Sequence, residues 1–261
     1  LLVVIGILSG IIYHGFNLSL KAPYAMIVNN VPVIVNCTFP EYPKELSVLR
    51  IVERNYTRTE LSDLAEIFGI TENFTVTLEH GAEVDCYYLE DAPRYLEVYT
   101  YGGICYHADD LATGPLPTES EAMKVAQELM SKILSCPLSP IHERMEVQAQ
   151  GASKAGETWC FKFVTNFEGS EILNHIAVAA VGTDNEGKPL AVGLNAYWRR
   201  IQVTGTIDTT VSPREAIMRL NVLQHEPLPD KVTIEKLYLA YTAVGGIAMS
   251  QTCLPPIYII E

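Results

Sequence analysis

Helix starts are marked three times in this chain by one short pattern, a hydroxyl residue followed three positions later by glutamate and then by an apolar run. The three pairs are Thr57 with Glu60, Thr118 with Glu121, and Ser212 with Glu215. In such a capping box, the hydroxyl and the glutamate each accept a hydrogen bond from a backbone N–H that the helix itself leaves unpaired. The pattern therefore predicts three helices.

The segments between these helices alternate apolar and polar residues, as strands do when they bury one face of a sheet. Turn sequences such as Gly102-Gly103 and residues 184–187 separate these segments, which is typical of antiparallel hairpins. The sequence therefore predicts an α+β fold made of repeated units, each consisting of one helix packed on an antiparallel sheet.

Residues 1–20 are almost continuously apolar. A helix that crosses a bilayer needs about 20 such residues, so we interpret the segment as an N-terminal transmembrane helix that anchors the chain. The hydrophobic part of a cleaved signal peptide and a buried helix or strand are the alternatives. Either of the first two interpretations places the remaining chain outside the cytoplasm, with the single-pass anchor in the cell membrane.

Composition shifts divide the rest of the chain. Residues 21–44 contain four prolines and are predicted to form an extended connector with at most an edge strand. Residues 45–113 form the first predicted α+β unit, and residues 114–261 form the second, which contains two helices. The loop Gly114-Pro115-Leu116-Pro117 marks the boundary between these two units.

Two further features agree with export. The pattern Asn-x-Ser/Thr occurs four times, although so short a pattern also arises by chance. The glycosylation candidates are Asn36, Asn55 and Asn73, because Asn17 lies too near the expected membrane. Six cysteines, an even number without CxxC spacing, are disulfide candidates. They are Cys37, Cys86, Cys105, Cys136, Cys160 and Cys253. The alternative is that several are buried free thiols.

Charge and motif content exclude several functions. A net charge of −13 without a basic cluster argues against nucleic-acid binding. The common motifs of serine hydrolases, nucleotide-binding proteins and zinc proteases do not occur, so no cofactor or metal is predicted. Acidic turn residues at 90–91, 109–110 and 184–186 lack the ligand spacing of a calcium loop and are interpreted as solvated carboxylates.

Two local patterns leave alternatives open. Cys105 and His107 share one side of a predicted strand, which permits a nucleophile and a base, but a half-cystine beside an edge histidine is the preferred interpretation. Tyrosines are dense between residues 87 and 106. Packing beneath the first helix explains them better than a recognition surface does, although rings also make good contact surfaces.

Over about 200 residues, the chain resembles a known family. The similarity is carried by Thr158-Trp159-Cys160-Phe161-Lys162-Phe163, Gly187, residues 201–205, Ser212-Pro213-Arg214-Glu215-Ala216, Leu237-Tyr238-Leu239-Ala240-Tyr241 and Leu254-Pro255-Pro256-Ile257-Tyr258. This order resembles exported proteins with PepSY-like repeats, and the nearest analogy is to membrane-tethered regulators of the YycH and YycI type in two-component signalling. The resemblance implies a single anchor, α+β repeats outside the membrane, and binding without catalysis.

The sequence thus predicts a membrane-anchored, extracytoplasmic binding or regulatory module that is not an enzyme. Its expected partner is a protein at the membrane or cell surface, and self-association is compatible with the exposed sheet edges that such a fold offers. The alternatives are an exported enzyme with a Cys/His site and a structural subunit of a glycosylated cell-surface assembly.

Overall fold

The computed structural model describes residues 24–28, 31–39, 43–71, 74–81, 84–108, 112–209, 211–219, 231–243 and 251–261. The predicted anchor, residues 1–20, lies outside the described residues. Within the described ranges, no helix is long and apolar enough to cross a bilayer. The described residues divide into a smaller unit (those within 24–44, 209–239 and 258–261) and a larger unit (those within 45–208 and 240–257).

Short strands outnumber helices along the chain. In chain order, the elements are β1 (Tyr24–Val28), β2 (Val31–Val35), β3 (Glu45–Ile51), α1 (Arg58–Ile67), β4 (Thr75–His80), β5 (Asp85–Asp91), β6 (Arg94–Tyr99), β7 (Ile104–Ala108), α2 (Glu119–Ser135), β8 (Met145–Ala155), β9 (Thr158–Phe167), β10 (Ser170–Thr183), β11 (Pro189–Ala196), β12 (Ile201–Asp208), α3 (Pro213–Met218), β13 (Val232–Ile234), β14 (Leu237–Thr242), β15 (Cys253–Leu254) and β16 (Pro256–Ile260).

The larger unit repeats one arrangement, a helix followed by four antiparallel strands. The first repeat runs from α1 to β7 and the second from α2 to β11. The last strands of the two repeats, β7 and β11, pair with each other, so the repeats together form the strand order β4-β5-β6-β7-β11-β10-β9-β8. The α+β class is therefore confirmed, with far more sheet than helix. This run of eight strands ends on the first strand of each repeat, β4 and β8.

Both helices lie on one face of this sheet. Helix α2 buries one side of its surface, with Ala122, Ala126 and Ile133 fully inaccessible. Below it, the strands contribute every second residue, such as Phe161 and Phe163 of β9. Because side chains alternate across a strand, the residues between them point to the opposite face of the sheet, which carries no described helix. We call this opposite face the open face.

The two predicted capping boxes of the larger unit are present. Thr57 accepts from the N–H of Glu60, and Thr118 accepts from the N–H of Glu121, while each glutamate accepts from the cap residue in return. These contacts lower the pKa of both glutamates, because the cap groups favour the carboxylate form. At the third predicted start, Ser212 accepts from the N–H of Glu215.

Removal of the Thr118 hydroxyl tests how much this cap stabilises α2. Thr118→Ala is expected to lower the free energy of unfolding by about 1 kcal/mol, because one N–H of the first turn loses its partner. Urea unfolding measures the change. Ser131→Ala, at an exposed position within the same helix, is the matched control and is expected to change stability by less than about 0.5 kcal/mol. Equal effects of the two substitutions would contradict a stabilising cap.

A second sheet, in the order β12-β3-β15, belongs to the larger unit. Its residues Leu49 and Ile201 pack in one core with Tyr99 and Tyr101 from the end of β6 and with Phe167 of β9. The predicted boundary at residue 114 is therefore not a boundary, because the two repeats share one sheet and one core. The loop at residues 114–117 connects the two repeats within one domain.

The prediction that residues 21–44 form an extended connector with at most an edge strand is wrong, because this segment contains the paired strands β1 and β2. Strands β1 and β2 pair antiparallel with each other, and β13 pairs with β2 in parallel. Val33 and Val35 are fully buried in the core of this unit, whereas Pro32 is exposed. The alternation of buried and exposed residues makes this segment a strand in spite of its proline.

Candidate functional site

Cys105 and His107 lie on β7, on the open face of the main sheet. Cys105 is half-buried and faces Glu97 of β6 and Asn195 of β11 across the strand pairs. Its thiol donates a hydrogen bond to Asn195 Oδ1, with 2.9 Å between sulfur and oxygen. Burial, followed by the charge of Glu97, raises the pKa of the Cys105 thiol to about 11. Cys105 is therefore a protonated thiol at neutral pH.

His107 is exposed two residues farther along β7. Within the described part of the chain, the partner of the Cys105 thiol is the Asn195 amide and not the His107 ring. A cysteine nucleophile needs a lowered pKa, from a cation or a base beside it, and the surroundings of Cys105 raise it instead. The Cys/His pair lies together in the fold, but its geometry does not favour nucleophilic catalysis.

Glu97 is the centre of a polar cluster on the same face. The Tyr99 hydroxyl donates to Glu97 Oε2 at 2.9 Å, and Cys86 lies opposite Tyr99 on β5. Burial and then the Glu97 charge raise the pKa of Cys86 to about 12. Burial also raises the pKa of the half-buried Tyr88 to about 12. The cluster thus consists of one acidic side chain with thiol and phenol groups nearby, and burial raises the pKa of each of these neighbours above its ordinary value.

The acidic turns have local structural roles. Asp184 Oδ1 accepts from the backbone N–H groups of Glu186 and Lys188, both at 2.9 Å. Asp91 Oδ2 accepts from the N–H of Thr71 at 3.2 Å. Asp109 and Asp110 lie outside the described residues. In the ranges that the structure describes, no group of three or more His, Cys, Asp or Glu side chains has the geometry to hold a metal ion.

The dense tyrosines are mostly core residues, as the packing interpretation expects. Tyr87, Tyr101 and Tyr106 are buried, and the ring of Tyr106 lies 4.6 Å from that of Phe68 at the end of α1. Tyr95 is exposed on the open face. These tyrosines therefore hold α1 and the second sheet in place and do not form a continuous aromatic surface.

Two of the three glycosylation candidates are accessible. Asn36 and Asn55 are both exposed, and the Asn36 side-chain amide donates to the carboxylate of Glu235 at 3.2 Å. Asn73 lies outside the described residues. Glycosylation at these positions stays a prediction.

All six disulfide candidates are free thiols in the structure. The positions of three of them limit any pairing. Cys86 and Cys105 lie on strands separated by β6, and Cys160 lies on β9, three strands beyond Cys105. Since neighbouring strands are about 4.8 Å apart, the Cα atoms of any two of these three exceed the roughly 7 Å that a disulfide allows. An intramolecular disulfide, which stays a prediction, must therefore include Cys37, Cys136 or Cys253.

A buried histidine lies inside the larger unit. His175 of β10 is fully inaccessible, at the place where the pairing of β10 with β9 shifts register. Its Nε2 accepts from the backbone N–H of Arg199 at 2.7 Å, and the Arg199 guanidinium stacks on the ring of Tyr101 at 3.9 Å. Burial lowers the pKa of His175 to about 4, and the Arg199 charge acts in the same direction. Complete burial makes this histidine a structural group.

The outer edge of β8 is an accessible strand edge of the larger unit. Among described strands, β8 pairs with β9 alone, and nine of its eleven residues are exposed. Residues 145–149 pair regularly with β9, and the register shift between Ala149 and Gly151 ends this straight stretch. An edge of this kind presents unpaired N–H and C=O groups to which another strand can bind.

A groove of about 510 Å³ runs beside this edge, between β8 and α2. Its walls are formed by Gln127, Met130, Ser131, Leu134 and Ser135 of α2 together with Val147, Ala149 and Phe163 of the sheet. Leu134 is 36% exposed, so an apolar side chain lines the groove without a described neighbour covering it. We call β8 residues 145–149 and these walls the β8 groove.

Sequence reasoning did not find the β8 groove. One signal for it existed in α2, because the exposed Leu134 lies four residues after the buried Met130, so an apolar side chain continues past the stripe that seats the helix on the sheet. The edge position of β8 had no such signal, since the order of strands is a tertiary property that alternation does not encode.

Comparison with known proteins does not assign a family. No protein-family model and no curated protein matches the chain. The fold is similar to the YpeB C-terminal domain of Bacillus megaterium, with 12% identity, a TM-score of 0.43 and coverage of 80% of this chain and 88% of that domain. It is also similar to an uncharacterized protein from Eubacterium rectale, with 10% identity, a TM-score of 0.47 and coverage of 92% and 84%. Because both TM-scores are below 0.5, these similarities assign neither a family nor a function to the chain, and neither protein is described as a YycH or YycI regulator.

Proposed function

We propose that this chain is a binding or regulatory module that acts by contact with a partner protein at the membrane or cell surface, and that its apolar leading segment anchors it there. The observation that supports this proposal is the β8 groove, in which an unpaired strand edge lies beside an uncovered apolar surface. In its finer form, the partner is a membrane sensor, as the resemblance to regulators of the YycH and YycI type implies.

The geometry favours strand addition as the mode of binding. An extended segment of the partner pairs with residues 145–149 of β8 through backbone hydrogen bonds. Every second side chain of that segment then points to the helix side of the sheet, where Val147 and Ala149 also point. Backbone pairing supplies the affinity, and the apolar groove selects segments with apolar residues at alternate positions.

Carboxylates introduced into the β8 groove test the proposal. Leu134→Asp and Ala149→Asp are each expected to reduce partner binding at least tenfold, because a charge would have to be buried against the bound segment. The intact chain is crosslinked in its native membrane, and the crosslinked proteins are identified and quantified by mass spectrometry. Both substituted side chains are accessible in the free chain, so both variants are expected to keep its fold.

The other sheet edge provides the matched control. Leu78 of β4 is 40% exposed, and Leu78→Asp is expected to leave the crosslinked partner unchanged. Recovery of a second copy of the chain as the crosslinked protein would show that self-association uses this edge. The proposal is wrong if the wild-type chain yields neither a partner nor a self-contact, or if both β8 groove variants crosslink as the wild type does.

A further inference from the structure

A second cavity, of about 220 Å³, lies on the opposite flank of α2 from the β8 groove. It is bounded by the end of α1, by α2 and by the strands β6, β7 and β11. Its apolar walls are Ile67, Phe68, Val125, Leu129, Leu190 and Ala191. Four further residues, Arg94, Tyr106, Glu128 and Lys132, complete the lining and give the cavity a polar side. We call it the α1–α2 pocket.

Arg94 is the cation that faces this pocket from the sheet. It begins β6 on the helix side and is half-buried. Its Nε lies near Gly69, just beyond the end of α1, where the free carbonyl groups of a helix attract a cation. Its charge, and then a hydrogen bond between its side chain and the Tyr106 hydroxyl, oppose the rise in the pKa of Tyr106 that burial causes. In the described chain, no Asp or Glu oxygen lies within 4 Å of Arg94.

Lys132 supplies a second cation at the rim of the pocket. It is exposed on α2, one turn after Glu128, which also lines the pocket. Although this spacing permits an ion pair, the two residues do not form one among the described contacts. With two cations and one carboxylate, the pocket lining carries a net charge of +1, in a chain whose net charge is −13.

We propose that the α1–α2 pocket binds a small carboxylate with a short apolar tail. The planar guanidinium of Arg94 presents donors that match a carboxylate, and a half-buried position strengthens that contact relative to water. Phe68 and Leu129 then cover the tail. The volume is smaller than that of pockets for drug-sized ligands, which limits the tail to about six carbon atoms.

Titration of the whole chain with hexanoate tests this site, with chemical shifts of backbone amides as the readout. The expected dissociation constant is about 1 mM, which is usual for a ligand of this size. The shifted amides are expected to lie at the end of α1 and in α2. Hexan-1-ol, which has the same tail and no charge, is expected to bind at least tenfold more weakly.

Substitutions separate the carboxylate contact from simple filling of the cavity. Arg94→Gln is expected to weaken hexanoate binding about tenfold to a hundredfold, because a charge-assisted contact is lost. Lys124→Gln, on α2 but outside the pocket lining, is the matched control and is expected to bind as the wild type does. Because Lys132 is exposed, Lys132→Gln is expected to keep the fold. It is expected to weaken hexanoate binding about threefold.

Three results would each overturn the proposal. The first is the absence of saturable shifts up to about 20 mM hexanoate, about twentyfold above the expected dissociation constant. The second is equal binding of hexanoate and hexan-1-ol. The third is unchanged binding in both Arg94→Gln and Lys132→Gln. Arg94→Gln could unfold the chain, because the end of α1 loses its cation. In that case, the comparison of hexanoate with hexan-1-ol and the binding of the Lys132→Gln variant still test the proposal. The site is separate from the β8 groove, so partner crosslinking is not part of this test.

Discussion

Phe161→Ala is expected to lower the free energy of unfolding of the larger unit by about 3 to 5 kcal/mol. Phe161 is fully buried in β9 and lies in the core beneath α2. Its partners in the neighbouring strands are Ala152 of β8 and Ala179 of β10. Since alanines cannot extend into the space that a lost ring leaves, the substitution creates a cavity that the surroundings fill only in part.

Urea unfolding followed by tryptophan fluorescence measures this change, because both tryptophans, Trp159 and Trp198, belong to the larger unit. Tyr95→Ala is the matched control, since Tyr95 is an aromatic residue of the same sheet that is 38% exposed. It is expected to cost less than about 1 kcal/mol. A loss below about 1 kcal/mol for Phe161→Ala would contradict the packing of α2 on β9.

Acidification is expected to destabilise the larger unit through His175 by about 3 kcal/mol between pH 6.5 and pH 4. Burial lowers the pKa of this histidine to about 4 in the folded chain, from its ordinary value of 6.5. Between these two values the unfolded chain binds a proton that the folded chain does not bind. Stability therefore falls as the pH falls through this window, and the contribution is constant below about pH 4, where both states are protonated.

The measurement is the urea unfolding free energy at several pH values for the wild type and for His175→Gln. A glutamine oxygen can accept from the backbone N–H of Arg199 as His175 Nε2 does, but it does not titrate. The variant is expected to lack this part of the pH dependence. His107→Gln, at an exposed position of β7, is expected to keep the wild-type dependence. Parallel curves for the wild type and His175→Gln would contradict the shifted pKa.

Much of the fold follows from local patterns in the sequence. The capping boxes predict where α1 and α2 begin, because the cap contacts involve residues only three positions apart. Alternation of apolar and polar residues likewise predicts that strands follow each of these helices. The prediction failed at β2, where Pro32 suggested a connector, although the valines on both sides of it alternate with less buried residues and form a core.

The site was less predictable for a physical reason. Cys105 and His107 are close together in the sequence, which makes them a candidate pair. The property that decides the chemistry of Cys105 is its burial beside Glu97 and Asn195, which other strands supply. The α1–α2 pocket likewise joins Arg94 of the first repeat to Lys132 of the second. Such contacts depend on the order of strands, and periodicity within one segment carries no information about it.

The pairing of β7 with β11 has a consequence for how this protein can be extended. The terminal strands of the two halves occupy the centre of the sheet, so a further strand cannot be inserted there without separating them. A strand added beside β4 or β8 would instead pair with the first strand of one repeat. The β4 and β8 edges occupy equivalent positions in the two repeats, but their sequences differ. Each edge can therefore bind a different ligand without a change in the other.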